Sequence, residues 1–206
     1  MAEKIGKIEK PPVERFRGKR KLFFVHLVYF PSSGVPDDFQ KLLERYWSEV
    51  KQQLDNLKKR LGKTTKIFHE LLYSSGEEGL KALEKLNPKS YQLVKVECDD
   101  GAELWPIEDR EITDEWLDWQ RCIFSGLVSE KVKKIVFEAY EKAHKRRCEY
   151  MEKRIDEGLK EGEVGILFIR EGYPIQFPSD VEVFSIYPPS LDEIHKWLDE
   201  RAKEEK

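Results

Sequence analysis

Cysteine and methionine are scarce, with three Cys and two Met in 206 residues. Cys98, Cys122 and Cys148 form an odd, widely spaced set without a CxxC pair. That excludes a disulfide framework and points to reduced thiols in a cytoplasmic protein. No stretch approaches the roughly 18 continuous apolar residues of a membrane-spanning helix. The opening residues, MAEKIGKIEKPPVERFRGKRK, contain no apolar core segment, so no secretory leader is expected. Charge of one sign is not in excess either. A net charge of -3 gives no overall field to attract nucleic acid. The basic stretches RGKRK and KAHKRR are far apart and lack interleaved aromatics, which also argues against a nucleic-acid partner.

Charge of both signs is abundant. Charged residues make up 37% of the chain, against roughly 25% in an average soluble domain. Such a mixture fits surface ion-pair networks of the thermophile type. The 12% of aromatic residues and the long apolar runs argue for a folded chain. The length suits one large domain, commonly about 100–200 residues. The expected organisation is a mobile charged arm over residues 1–20, interrupted by Pro11-Pro12, followed by a single α/β domain over residues 21–206.

KLFFVHLVYF (Lys21–Phe30) is a continuous run of apolar, aromatic and β-branched residues closed by PSSG. It predicts a strand buried on both faces, as in a parallel sheet. Pro36, Asp37 and Asp38 then suit a helix N-terminus. Phe39, Leu42, Leu43, Tyr46, Val50, Leu54, Leu57 and Leu61 follow at helical spacing, and Gly62 supplies the stop. TKIFHELLY (Thr65–Tyr73) predicts a second strand, GEEGLKALEKLN a short helix closed by Asn87-Pro88, and YQLVKVEC (Tyr91–Cys98) a third strand. Two helices come next, one starting near Thr113 and one capped by Ser129 and running to about Glu161. EVGILFIR and VEVFSIY are two more strands. A last helix opens at Ser190, where SLDE offers a capping box with Glu193. The fold class is therefore α/β: a mainly parallel sheet flanked by helices, with a helical insertion after the third strand.

Ligands of open parallel sheets bind outside the carboxyl ends of the strands, which ranks the polar residues by position. His26 lies late in the first strand and suits either a core histidine bonded to a carbonyl or a general base. His69 and Glu70 end the second strand on opposite faces. A carboxylate amid IFHELLY needs solvent, a partner or a ligand, because burying it alone costs several kcal/mol. In CDDGAELWPIEDREITDEW (Cys98–Trp116), Asp114 and Glu115 read as first-turn acids of a helix, and Asp99-Asp100-Gly101 as a turn. A short extra strand through Leu104–Ile107 would carry Glu108 and Asp109 to its carboxyl end. In the long helix, Val132, Ile135, Val136, Ala139, Ala143, Met151 and Ile155 mark a core stripe that passes through Arg147. A guanidinium on a buried face needs an anion, either a carboxylate of the acidic loop or a substrate. Trp105, Trp116 and Trp119 suit a cleft wall or a self-association face.

The order of these parts, a histidine in the first strand, a glutamate in the second, GAELWPIEDRE, the helix RRCEYMEKRI and the strand GILFI followed by EGYP, resembles the TraB, ChaN and erythromycin-esterase-like superfamily over roughly Leu22 to Tyr187. In that group a strand-end histidine, a glutamate, an acidic segment, an arginine-bearing helix and a second Gly-His strand end surround one cleft. Some members are thought to be metal-dependent hydrolases or proteases. The resemblance carries over His26, Glu70, Glu108 or Asp109, and Arg147. There is no Gly-x-x-His around His26, and Tyr173 stands where the second histidine belongs.

Two functions fit these residues. One is a non-catalytic module that binds a small molecule or assembles as a homodimer. The other is a hydrolase at the carboxyl edge of the sheet. In the second, His26, Glu70 and Asp109 serve as catalytic groups, Arg147, Tyr173 and Trp105 contact substrate, and Glu108 joins a divalent metal.

Overall fold

The computed structural model describes residues 13–16, 18–29 and 34–204. The expected mobile arm therefore falls mostly outside the described residues. Its last part does not stand free. Val13–Phe16 forms a short 3-10 turn, Phe16 is buried and its ring packs edge-on against Phe184 at 5.2 Å.

Five strands form one all-parallel sheet: β1 (Arg20–His26), β2 (Lys66–His69), β3 (Glu103–Leu104), β4 (Val164–Ile169) and β5 (Val181–Ile186), in the order β3-β2-β4-β1-β5. The helices are α1 (Asp37–Leu61), α2 (Gly76–Leu86), α3 (Pro88–Asp99), α4 (Arg110–Phe124), α5 (Glu130–Gly158) and α6 (Pro189–Glu204). The α/β class, the parallel sheet and the helical insertion after the third strand all stand.

Alternation along the strands builds two cores. Phe23, Val25, Ile67, Ile166 and Phe168 face α1, α2, α3 and α6, while Leu22, Phe68, Leu167 and Ile169 face Cys148, Met151 and Ile155 of α5. β4, flanked on both edges and both faces, is buried at all six positions.

The third strand is not where the sequence placed it. Tyr91–Cys98 lies inside α3. Asn87, read as the end of α2, also caps α3 by accepting a hydrogen bond from the Ser90 amide, and Pro88 occupies the first turn. Ser90, Val94 and Glu97 are buried at helical spacing, whereas Val96 is exposed. The strand that pairs with β2 is the short extra segment, Glu103–Leu104. Two helix starts also move. α4 begins at Arg110 with Asp109 as its cap, so Asp114 and Glu115 are not first-turn acids. α6 does not use the Ser190–Glu193 box: Ser190 donates to Glu49 at 2.6 Å, and Glu193 pairs with Arg45. The stripe on α5 holds from Val136 to Ile155, but Val132 and Ile135 are exposed.

Candidate functional site

The sheet order sets β3, β2 and β4 side by side, so the residues leaving their carboxyl ends meet beneath the α4–α5 hairpin. Glu70 follows β2, Glu108 follows β3, and Arg170 and Tyr173 follow β4, while α5 lowers Arg147 onto them from above.

Glu108 and Arg147 form a buried, two-pronged ion pair. Arg147 Nε donates to Glu108 Oε2 at 2.9 Å, and Nη2 donates to Oε1. The Leu71 amide and the Thr113 hydroxyl donate to the two carboxylate oxygens, each at 2.9 Å. All four acceptor positions of the carboxylate are therefore filled. The arginine expected on the buried face with an acidic-loop partner is in place. The metal role expected of Glu108 meets oxygens already engaged. Leu71, which supplies one of these donors, is the only non-glycine residue with positive φ (60°) among the described residues. Left-handed backbone costs a leucine roughly 1–2 kcal/mol, and here it aims an N–H at Glu108.

Glu70 and Arg170 form a second pair, with Arg170 Nε donating to Glu70 Oε1 at 2.8 Å. Glu70 is fully buried, and its Oε2 has no hydrogen-bond partner. Burial pushes its pKa up, against the opposing pull of Arg170 and Arg147. Tyr173 joins the two pairs. Its hydroxyl accepts from Arg147 Nη1 at 2.7 Å and from Arg170 Nη2 at 2.9 Å. Both lone pairs are thus occupied, and the phenolic proton is free for an acceptor. Burial, and next the charge of Glu70, raise the pKa of Tyr173 and keep it protonated. Arg170 Nη1 has no partner among the described residues.

Arg170 and Tyr173 of this network line a cleft of about 510 Å³, together with Trp116, Tyr140, Glu141, His144 and Glu171. Trp116 lies 4.2 Å beneath the Arg147 guanidinium. The Tyr140 and His144 rings stack at 5.9 Å, and His144 meets Tyr173 at 5.1 Å. Burial, then Arg147 and Arg170, hold the His144 pKa below its ordinary value, so it is neutral at pH 7.

The remaining candidates are placed elsewhere. Asp109 caps α4, accepting from the Ile112 amide at 3.0 Å. Trp105 lies against Gly158 and between the cations of Lys66 and Arg154, away from the cleft, where Trp116 takes the wall position. His69 is a core histidine: Nδ1 donates to the Glu70 carbonyl at 2.7 Å and Nε2 accepts from Ser90 at 3.0 Å, facing away from Glu70 as the alternation requires. His26 sits across Glu171 from the cleft, at the end of β1. Among the described residues, no group of three His, Cys, Asp or Glu side chains is placed to hold a metal ion, and no helix is long and apolar enough to cross a membrane.

Sequence reasoning missed Arg170 and His144. Arg170 was visible as the charged residue ending an apolar parallel strand, the position where ligands gather. His144 carries no such signal, because a lone histidine on a mixed helix face resembles any solvated residue. Comparison with known proteins finds no matching family model, no matching curated protein and no matching solved structure.

Proposed function

We propose that the protein is a binding module whose cleft takes, without reacting with it, a small planar anion, such as an aromatic carboxylate. The observation that carries this is the Tyr173 hydroxyl. Two guanidinium groups donate to it, which leaves its proton and Nη1 of Arg170, both on residues that line the cleft, as donors for an acceptor. Such pre-set donors suit a carboxylate or phosphate, and the Trp116, Tyr140 and Tyr173 rings suit a flat apolar body. Glu70 and Glu108 hold the arginines in position, so the donors need no reorganisation on binding. The likeness to the TraB and erythromycin-esterase-like group, which suggested a hydrolase over the same strand ends, rests on sequence order alone.

The test is calorimetric titration with benzoate, phenyl phosphate and inorganic phosphate. Binding of the aromatic anions, weakened at least tenfold by Arg170→Met, supports the cleft. No heat from any of the three, or heat unchanged by Arg170→Met, rejects it.

Self-association is a second reading with its own observation. Phe124 ends α4, Val128 lies just before α5, and Val132 and Ile135 follow in the first turns of α5, all exposed, Phe124 at 80% and Val128 at 91%. Exposed apolar residues concentrated in one short segment often mark an interface. Sedimentation velocity should show a dimer that Phe124→Ser with Val132→Ser converts to monomer. A wild-type monomer at tens of micromolar would dismiss it.

A further inference from the structure

On the other side of Glu171 from the cleft, three elements bring a serine, a histidine and a carboxylate into line. Ser185 is on β5, His26 ends β1, and Glu171 opens the segment after β4. Phe24 and Ser185 are opposite one another in the parallel register, which places His26, two residues along β1, on the same face of the sheet as Ser185. His26 Nε2 lies 3.3 Å from Ser185 Oγ, and His26 Nδ1 lies 3.5 Å from Glu171 Oε1. The rings of Phe24 and Tyr187 hold the imidazole between them at 5.0 and 5.6 Å. Ser185 itself is exposed.

We infer that Ser185, His26 and Glu171 form a nucleophile, base and orienting carboxylate that together accept an acyl group from a small activated ester. This goes beyond the anion-binding cleft and shares only Glu171 with it. A hydroxyl within hydrogen-bond reach of an imidazole, whose other nitrogen faces a carboxylate, is the arrangement that activates a serine. Nδ1 has no hydrogen bond at 3.5 Å. A closure of about 0.5 Å would make one, and such separations commonly tighten when substrate binds.

The groups facing His26 are Glu171, His195 of α6, Ser185 and Tyr187. His195 Nε2 is 2.9 Å from the second oxygen of Glu171, so the carboxylate is shared and anchored. The Tyr187 hydroxyl is turned away, donating to Asp192 at 3.0 Å. Burial lowers the His26 pKa, Glu171 opposes it and His195 adds to it, so the imidazole is neutral and basic at pH 7.

The chemistry balances within these residues, the ester and water. As Ser185 Oγ bonds to the carbonyl carbon, its proton passes to His26 Nε2. The ester C–O bond then breaks, and the leaving alkoxide takes that proton. Water attacks the acyl-serine, giving a proton to His26. The acid departs as Ser185 Oγ recovers the proton.

The test uses the full chain and a fluorophosphonate probe, with the adduct mapped by mass spectrometry. The expected result is one phosphonyl group on Ser185, formed with loss of fluoride. It should be absent in Ser185→Ala and at least tenfold slower to form in His26→Gln. In wild type the labelling rate should rise with pH through a midpoint below 6.5, and in His26→Gln that inflection should vanish. No adduct, an adduct on another hydroxyl, or a rate indifferent to His26→Gln would overturn the inference. Benzoate titration of Ser185→Ala reports separately on the cleft, so the two failures are distinguishable.

Discussion

Glu108 and Arg147 close on one another with side chains 0% and 1% exposed, across the gap between the segment after β3 and the middle of α5. The pair fastens the helical insertion to the sheet. Breaking one partner of a buried pair strands the other charge and costs roughly 3–5 kcal/mol. Arg147→Met should therefore lower the unfolding free energy measured in urea melts by an amount in that range, seen as a lower midpoint at an unchanged denaturant slope. Adding Glu108→Gln should restore part of the loss, because it removes the stranded carboxylate. A loss under about 1 kcal/mol would mean the charge reaches solvent.

Tyr173→Phe removes the acceptor shared by two guanidinium groups and the proton offered to the cleft. Unpaired buried donors cost about 1–3 kcal/mol. The expected outcome is a stability loss in that range together with a weakened benzoate heat. A variant as stable and as tight-binding as wild type would separate the hydroxyl from both roles.

His69 gives stability an acid limb. Burial lowers its pKa to about 4 in the folded chain, against about 6.5 in an unfolded one. Between these values the unfolded chain binds the proton and the folded chain does not. The stabilisation is therefore complete above pH 6.5 and falls by about 3 kcal/mol as pH drops toward 4. Glu70 acts in the opposite sense: its raised pKa means stability is lost as pH rises above the ordinary glutamate value. The informative measurement is thus the difference between wild type and His69→Gln in urea melts from pH 4 to 8. It should slope between pH 4 and 6.5 and be flat above. A flat difference throughout would put the His69 proton exchange outside the fold.

Gly158 lets the end of α5 settle on the sheet. A Cβ there would come within 2.9 Å of Phe68 and of the Trp105 indole. Phe68 is fully buried and has no room to yield. Gly158→Ala should cost about 1–3 kcal/mol despite the better helix former, and should shift the tryptophan emission as Trp105 moves. An Ala variant of equal stability and unchanged emission would contradict the packing.

The sequence announced elements whose two signals agreed. Lys21–Phe30, whose strand ends at His26, and Glu163–Arg170 combine β-branched content with length and turn boundaries, and α1 combines a cap, a stripe and a stop. Tyr91–Cys98 failed because its Tyr-x-Leu-Val-x-Val pattern satisfies a strand's alternation as well as a helix's turn, and Asn87-Pro88 punctuates either way. Only tertiary burial of Val94 and Glu97 chose the helix. In the site, Arg147 was legible because a cation on a core stripe demands an anion. The link through Tyr173 and Arg170 was not. It depends on β4 lying beside β2, a neighbour relation that no local pattern encodes.

The strand order β3-β2-β4-β1-β5 also has a consequence in time. β1 emerges first from the ribosome, yet both its neighbours, β4 and β5, begin only at Val164 and Val181. Until then, among the described residues, sheet pairing is available only between β2 and β3, two residues deep. A nascent chain stopped before Val164 therefore carries Leu22, Phe23 and Val25 with no edge to dock on, and is open to aggregation. The sheet is completed only once β4 and β5 have been made, so these two strands govern when β1 finds its place.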